Sequence, residues 1–226
     1  MYSKNRLVIL DADGTTVDAF SAIQKAFAAE GMDLGDLSRF QERRNLFKYL
    51  GGIKEFPKNL QKQIGKKKRH QLIETLTEVY REEAKMFKGL ASMMNQMIAQ
   101  DGLKVGVVTR NITNDAIKTL SCLYSRHDVD VKALDFFVHI PLKEDKTTHF
   151  RRIRNELNVN PALAYACGDE KKDYVAALGS GMFPFVVSYG FESAKRLTEK
   201  AMVPEELIVQ SPAELVDRVS HTLDLR

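Results

Sequence analysis

The chain has 226 residues, 44% apolar and 28% charged, with a formal charge of +4. That length can bury a sizeable core, either as one large domain or as a core with an insert. So mild a charge gives no electrostatic case for nucleic acid, and no apolar run approaches the ~18 residues that would cross a membrane. Cys122 and Cys167 lie far apart without metal-ligand spacing, which suits a reducing compartment. The first strand begins almost at the N-terminus and leaves no room for a signal peptide, so a cytoplasmic location is expected.

Arg6 to Leu10 reads as a buried strand, an apolar run that ends abruptly in charge at Asp11. Asp13, Gly14, Thr15 and Asp18 follow. The chain then turns helical. Phe20, Ile23 and Phe27 share one face, which ends near Gly31. Leu37, Phe40, Phe47 and Leu50 make a second stripe, stopped by Gly51 and Gly52. Pro57 opens a short segment to Ile64, and a long helix carries Leu72, Leu76, Val79 and Phe87. No convincing strand occurs between Thr16 and Gly102. Such a block is far longer than an ordinary crossover, so Phe20 to roughly Arg81 is expected to form an inserted helical bundle.

Strand and helix then alternate. Leu90, Met93 and Met97 lie on a helix, Lys104–Val108 is a strand, and Ile112, Ala116 and Leu120 start the next helix. Phe136–Ile140 is a strand, Lys146–Leu157 a helix, Leu163–Cys167 a strand and Asp173–Leu178 a helix. Phe183–Val187 is the fifth strand, and Pro212 opens a last helix with Leu215 and Val219 inward. Five short apolar strands separated by helices imply a parallel α/β sheet covered on both faces. The expected division is residues 1–18 and 88–226 as the core and 19–87 as the helical insert.

Parallel strands present their carboxyl ends on one edge, where open α/β sheets bind ligands. Asp11 and Asp13, Thr109, the loop around Lys146, and Asp169 with Asp173 all fall at such ends. Each has a bland reading alone: Asp-Gly is a turn, Thr109 and Asp169 are helix caps, Lys146 is a solvated lysine. Polar groups at three successive strand ends with a lysine between them are not explained that way. Carboxylates with other oxygen donors suit Mg²⁺. A free carboxylate can attack phosphorus. Lys146 would neutralise the transferring oxygens, while Thr109 and the backbone N–H groups near Gly14 and Asn111 would hold them. Asp13 could protonate the leaving oxygen and then deprotonate the attacking water.

At these residues the chain resembles the haloacid-dehalogenase-like phosphohydrolases. DADGTTVD at 11–18 looks like their first motif, VVTRN at 107–111 like the second, and GDEKKD at 168–173 like the fourth. KTTHF from Lys146 is similar to a run in the magnesium-dependent phosphatase branch and favours Lys146 over Lys143. Phe185–Ser188, Gly190 and SPAELVDRV at 211–219 extend the similarity. The resemblance implies a Rossmann-like three-layer core with an all-helical cap, as in phosphoglycolate phosphatases. It makes Asp11 the nucleophile and Asp13 the acid/base, which is also a metal ligand through its carbonyl. Asp169 becomes a metal ligand, Asp173 a ligand or an orienter of the metal shell, and Thr109 and Lys146 phosphate ligands, with Arg110, Asn111 and Gly14 beside them. A Mg²⁺-dependent phosphatase acting on a small phosphorylated metabolite is the expectation, with neither nucleic acid nor membrane as partner.

A phosphomutase would use the same core residues. A haloacid dehalogenase has no use for Asp13 or Asp169, and a non-catalytic metabolite-binding module normally has an eroded site, whereas this one is complete. Two departures stand out: Thr16 occupies a position that is usually bulky and apolar, and Arg110 one that is usually small or an amide. Arg110 either reaches into the entrance or pairs on the surface. Arg43, Arg44 and Lys48 precede the Gly51–Gly52 break and are candidates for contacting the leaving group, although a solvated helix face also fits them. Lys66–Arg69 reads as an exposed helix start, His70 and His149 as unrelated to metal, and Met93, Met94 and Met97 as core.

Overall fold

The computed structural model describes residues 1–43 and 66–225, with the backbone alone at 39, 42, 43, 66 and 67. Strand β1 (Arg6–Leu10) is flanked by β2 (Leu103–Thr109) and β4 (Ala164–Gly168), with β3 (Phe136–His139) outside β2. On the other side β5 (Phe183–Val187) and β6 (Ile208–Val209) complete the order β3-β2-β1-β4-β5-β6. All pairings are parallel. Leu10 is level with both Val107 and Cys167, so Asp11 leaves the sheet beside the ends of β2 and β4.

Alternation along β1 feeds two cores. Leu7 and Ile9 face a cluster with Phe150 and Ile153 of α6 (Lys146–Glu156) and Ala176 and Ala177 of α7 (Lys171–Gly179). Val8 and Leu10 face the opposite cluster. There Met93, Met94 and Met97 of α4 (Leu90–Ala99), Leu120 and Leu123 of α5 (Ala116–Arg126), and Leu215 and Val219 of α9 (Pro212–Leu223) are fully buried. The methionines are core, as their spacing implied. Both faces of a parallel sheet need such cover, which is why its strands are apolar throughout.

The helical insert joins that second cluster. Ile23, Ala26 and Phe27 of α1 (Ala19–Ala29) pack with Leu72, Leu76, Val79 and Tyr80 of α3 (Lys66–Glu82). Asp18 caps α1 by accepting the Ser21 N–H at 3.1 Å, so the last Asp of the opening run serves a helix rather than the site. Phe47, Leu50, Gly51, Gly52 and Pro57–Ile64 lie outside the described residues. Helix α2 (Leu37–Arg43) is the described part of the second stripe.

Phe87 is not on the long helix, which ends at Glu82. Its N–H donates to Thr16 O at 3.0 Å, and Asp18 N–H to Lys85 O at 2.9 Å. The outgoing and returning chains of the insert thus run antiparallel, with Val17 bridged to Met86. Helix α5 starts at Ala116 rather than at Ile112, because Asp115, at φ 48°, caps it through the Lys118 N–H. Strand β6 and helix α8 (Ala194–Ala201) have no counterpart in the sequence reading. Two residues are too few to display a period of two.

Candidate active site

Asp11 is the first residue beyond β1, its N–H donated to Cys167 O at 2.9 Å across the sheet. Its carboxylate is 7% exposed at the residue level, with Oδ1 on the Ala12 N–H at 2.9 Å and Oδ2 on Lys146 Nζ at 2.8 Å. Lys146, the first residue of α6, is 2% exposed and also reaches Asp173 Oδ1 at 2.5 Å. Lys143 is exposed. The structure therefore places Lys146, not Lys143, against the strand-end carboxylates.

Burial pushes the Asp11 carboxyl up to about 7 despite Lys146 beside it. Burial would likewise lower the Lys146 ammonium, but Asp11 and Asp173 outweigh it and hold that group above its ordinary range. Asp169 is fully buried and pushed well up by burial, then by the charges of Glu170, Asp11 and Asp173. Ligand oxygens of Asp11, Asp169 and Asp173 lie within 4.8 Å of one another. Like charges this close favour a cation among them.

The Asp169 surroundings fit a metal ligand. Its Oδ2 accepts the Phe191 N–H at 2.6 Å, while its Oδ1 is buried with no hydrogen-bond partner among the described residues. Two glycines make room for it: a Cβ at Gly14 would lie 2.1 Å from Asp169 Oδ2, and one at Gly190 2.3 Å away. Gly14 also sits at φ +77°, where a side chain is strained. Its N–H already goes to Val17 O at 2.9 Å. Gly14 thus seats Asp169 and closes the turn, and its N–H is not free to hold a phosphoryl oxygen as the sequence suggested. The three carboxylates supply hard oxygens and can hold a divalent cation such as Mg²⁺. Asp173 accepts from Lys146 through Oδ1 and from the Glu170 N–H through Oδ2 at 3.1 Å, so it orients the lysine while its carboxylate stays within the acidic cluster, and both expected roles fit it.

Asp13 sits opposite. Asn111 Nδ2 donates to both its oxygens at 3.0 Å, and the Tyr80 hydroxyl to Oδ1 at 2.8 Å. Burial raises the Asp13 carboxyl, with Tyr80 and Asn111 pulling the other way. Thr109, fully buried at the end of β2, accepts the Asn111 N–H at 3.0 Å and keeps its own proton to donate. Asn111 therefore orients Asp13 rather than a phosphoryl group: its main-chain and side-chain N–H groups are both engaged.

Arg110 turns inward. Its side chain is 9% exposed, it stands 3.9 Å from Glu170, and it helps to line a cavity of about 140 Å³ with Asp11, Asp13, Lys146 and Asp169. Cap residues Ile23, Leu76 and Tyr80 form the cavity's apolar side. Thr16, the other departure, is buried with its hydroxyl 2.7 Å from the Tyr124 hydroxyl, which explains a polar residue at an apolar position. His149 pairs with Glu144 and His70 with Glu74, both away from the acidic cluster. Arg44 and Lys48 lie outside the described residues, as does the Arg43 side chain.

Sequence reading missed Tyr80, which falls on the apolar stripe of α3 and is indistinguishable there from packing. It also missed α2 docking on the β5 loop, where Gln41 donates to Gly190 O at 2.7 Å and the Phe40 and Phe191 rings meet at 5.7 Å. No described helix is long and apolar enough to cross a membrane.

A search of curated proteins finds no match. Among solved structures, a candidate phosphoglycolate phosphatase from Lactobacillus delbrueckii subsp. bulgaricus superposes with TM-score 0.61 at 20% identity, over 97% of this chain and 99% of that one. A predicted phosphatase from Clostridium acetobutylicum gives 0.62 at 18%, over 97% and 100%. A candidate β-phosphoglucomutase from Thermotoga maritima gives 0.61 at 20%, over 96% and 99%. At such identities these likenesses speak for the fold alone. The family model of haloacid dehalogenase-like hydrolases matches residues 8–187, from the strand that delivers Asp11 through the one that ends beside Asp169. With that match over most of the chain, and with the parallel core and helical cap it implies, the protein belongs to the haloacid dehalogenase-like hydrolases.

Proposed function

We propose that this protein is a Mg²⁺-dependent phosphatase that hydrolyses small phosphomonoesters through an aspartyl phosphate on Asp11. The observation that carries this is one cavity holding a buried Asp11 beside Lys146 and an Asp13 carboxyl held by neutral donors. An aspartate two residues from the nucleophile is what a poor alkoxide leaving group requires and a halide does not.

In the first step an Asp11 oxygen bonds to phosphorus as the ester P–O bond breaks, and the departing oxygen takes the Asp13 proton. In the second step Asp13, now a carboxylate, takes a proton from water as that water attacks phosphorus and releases Asp11. Lys146 and the Thr109 hydroxyl neutralise and hold the phosphoryl oxygens. Asp173 keeps Lys146 aimed, and Phe191 and the two glycines fix Asp169. Asp11, Asp169 and Asp173, with the Asp13 carbonyl, would hold Mg²⁺, which would supply further positive charge to those oxygens. The cap side chains Ile23 and Leu76 exclude water from one side of the leaving group.

A phosphate-release screen across small phosphometabolites, with Mg²⁺ and with chelator, tests the reading. Asp11→Asn should drop turnover to background while folding at least as well as the parent, since it removes one repelling carboxylate. Substantial turnover in a well-folded Asp11→Asn protein would overturn the assignment.

A further inference from the structure

The Asp13 carboxyl is gripped from two bodies. From the core, Asn111 donates to both oxygens, and its amide cannot be turned over because Asn111 Oδ1 accepts the Thr113 N–H at 2.9 Å. From the cap, Tyr80 donates to Oδ1 at 2.8 Å. Tyr80 lies in the last turn of α3 and is 1% exposed. That end of the helix is itself tied to the core, since Arg126 of α5 donates to Tyr80 O at 3.4 Å and to Ala84 O at 2.5 Å.

The two grips are unequal. Oδ1 accepts two hydrogen bonds and Oδ2 one. A carboxyl that delivers a proton needs an oxygen able to carry it, and here that oxygen is Oδ2. We propose that Tyr80 is a positioning residue for the acid step: seated with the cap, it pins Oδ1 so that Oδ2 faces the leaving oxygen. Cap seating and proton delivery thereby become one event. The inference rests on the phosphatase reading, and concerns the step in which the ester P–O bond breaks, its electron pair stays on the departing oxygen, and that oxygen takes the Oδ2 proton.

Tyr80→Phe keeps the ring and its packing and removes only the hydroxyl. On an alkyl phosphate, kcat should fall about tenfold, a fraction of what a positioned general acid supplies. KM should stay within about twofold, since the lost contact is not with substrate. On an aryl phosphate, whose leaving group departs without help, the loss should be under about threefold. Equal loss on both esters, or loss on neither, would overturn the proposal. A second measurement needs no turnover: melts of the parent, Tyr80→Phe, Asp13→Ala and the double variant. Removing the hydroxyl should lower the midpoint in the parent and leave it unchanged in Asp13→Ala, whereas additive shifts would show that Tyr80 acts elsewhere. Phosphate release by the parent is read first and judges the phosphatase reading alone; the melts decide the Tyr80–Asp13 contact either way.

Discussion

Lys146 shows how much a single side chain does here. It is buried between Asp11 and Asp173, so its removal leaves two carboxylates facing each other without a counter-charge. Breaking a buried ion pair from one side costs about 3–5 kcal/mol, and withdrawing charge that develops usefully in the transition state costs ~10²–10³ in rate. Lys146→Ala should therefore lose both stability and turnover, while exposed Lys143→Ala should stay within about 0.5 kcal/mol of the parent. Urea midpoints and phosphate release for both variants check this, and the reverse ranking would reassign the lysine. Gly190 is a quieter case. Its added Cβ would lie 2.3 Å from both Asp169 Oδ2 and Gly14 O, neither of which can retreat without losing the Asp169 seat. Gly190→Ala should weaken Mg²⁺ activation by an order of magnitude or so, about the cost of disturbing a ligand's support. A Mg²⁺ titration of activity reads it.

Among elements, the decisive pairing is α3 against the loops that follow β1 and β2. Burial of Leu72, Leu76, Val79 and Tyr80 seats the cap on the same cluster as the sheet, so the cap is continuous with the core rather than a loose appendage. Its two connections meet as an antiparallel pair at Val17 and Met86, a short joint through which any opening has to pass. Beneath it Ile23 and Leu76 leave a small apolar side to the cavity. The expected consequence is size selection: catalytic efficiency should fall steeply from a small sugar or acid phosphate to a phosphopeptide. Comparable efficiency on the two would show that the cap does not close over the leaving group.

At the scale of the molecule, the acidic cluster couples stability to pH and metal. Without a cation, burial raises Asp11 to about 7 and moves Asp169 the same way. The folded protein then holds protons that the unfolded chain has already released. These groups contribute fully below the unfolded carboxylate range, near 3.8, and the contribution is lost as pH rises through about 7. The slope is at most ~1.4 kcal/mol per pH unit for each proton. Mg²⁺ favours the charged forms, so it should stabilise more at pH 8 than at pH 5; at a hundred times its dissociation constant the stabilisation over the metal-free protein is roughly 2.7 kcal/mol. Melts in chelator and in Mg²⁺ at both pH values test this. An equal midpoint in chelator and Mg²⁺ at pH 8 would remove the metal from the account.

The sequence by itself determined the elements that obey a local rule. An apolar run breaking into charge marks β1 and Asp11. The same pattern places Thr109 at the end of β2 and Asp169 after β4, and parallel pairing brings those ends together without further information. Lys146 was legible through the run it begins. Tertiary structure alone decided the contacts that no local period records. Tyr80 reads as one more buried residue of a helix stripe, and only packing across 67 positions turns its hydroxyl toward Asp13. Gly14 reads as a donor of N–H, and only the crowding of Asp169 from the end of β4 shows it making room instead. Phe87 continues an apolar spacing, yet its N–H finds Thr16 O and leaves the helix. In each case residue type sets what a group can do, while the partner that satisfies it is chosen by chain segments distant in sequence. Burial makes that choice binding, because an unpaired polar group has no water to turn to.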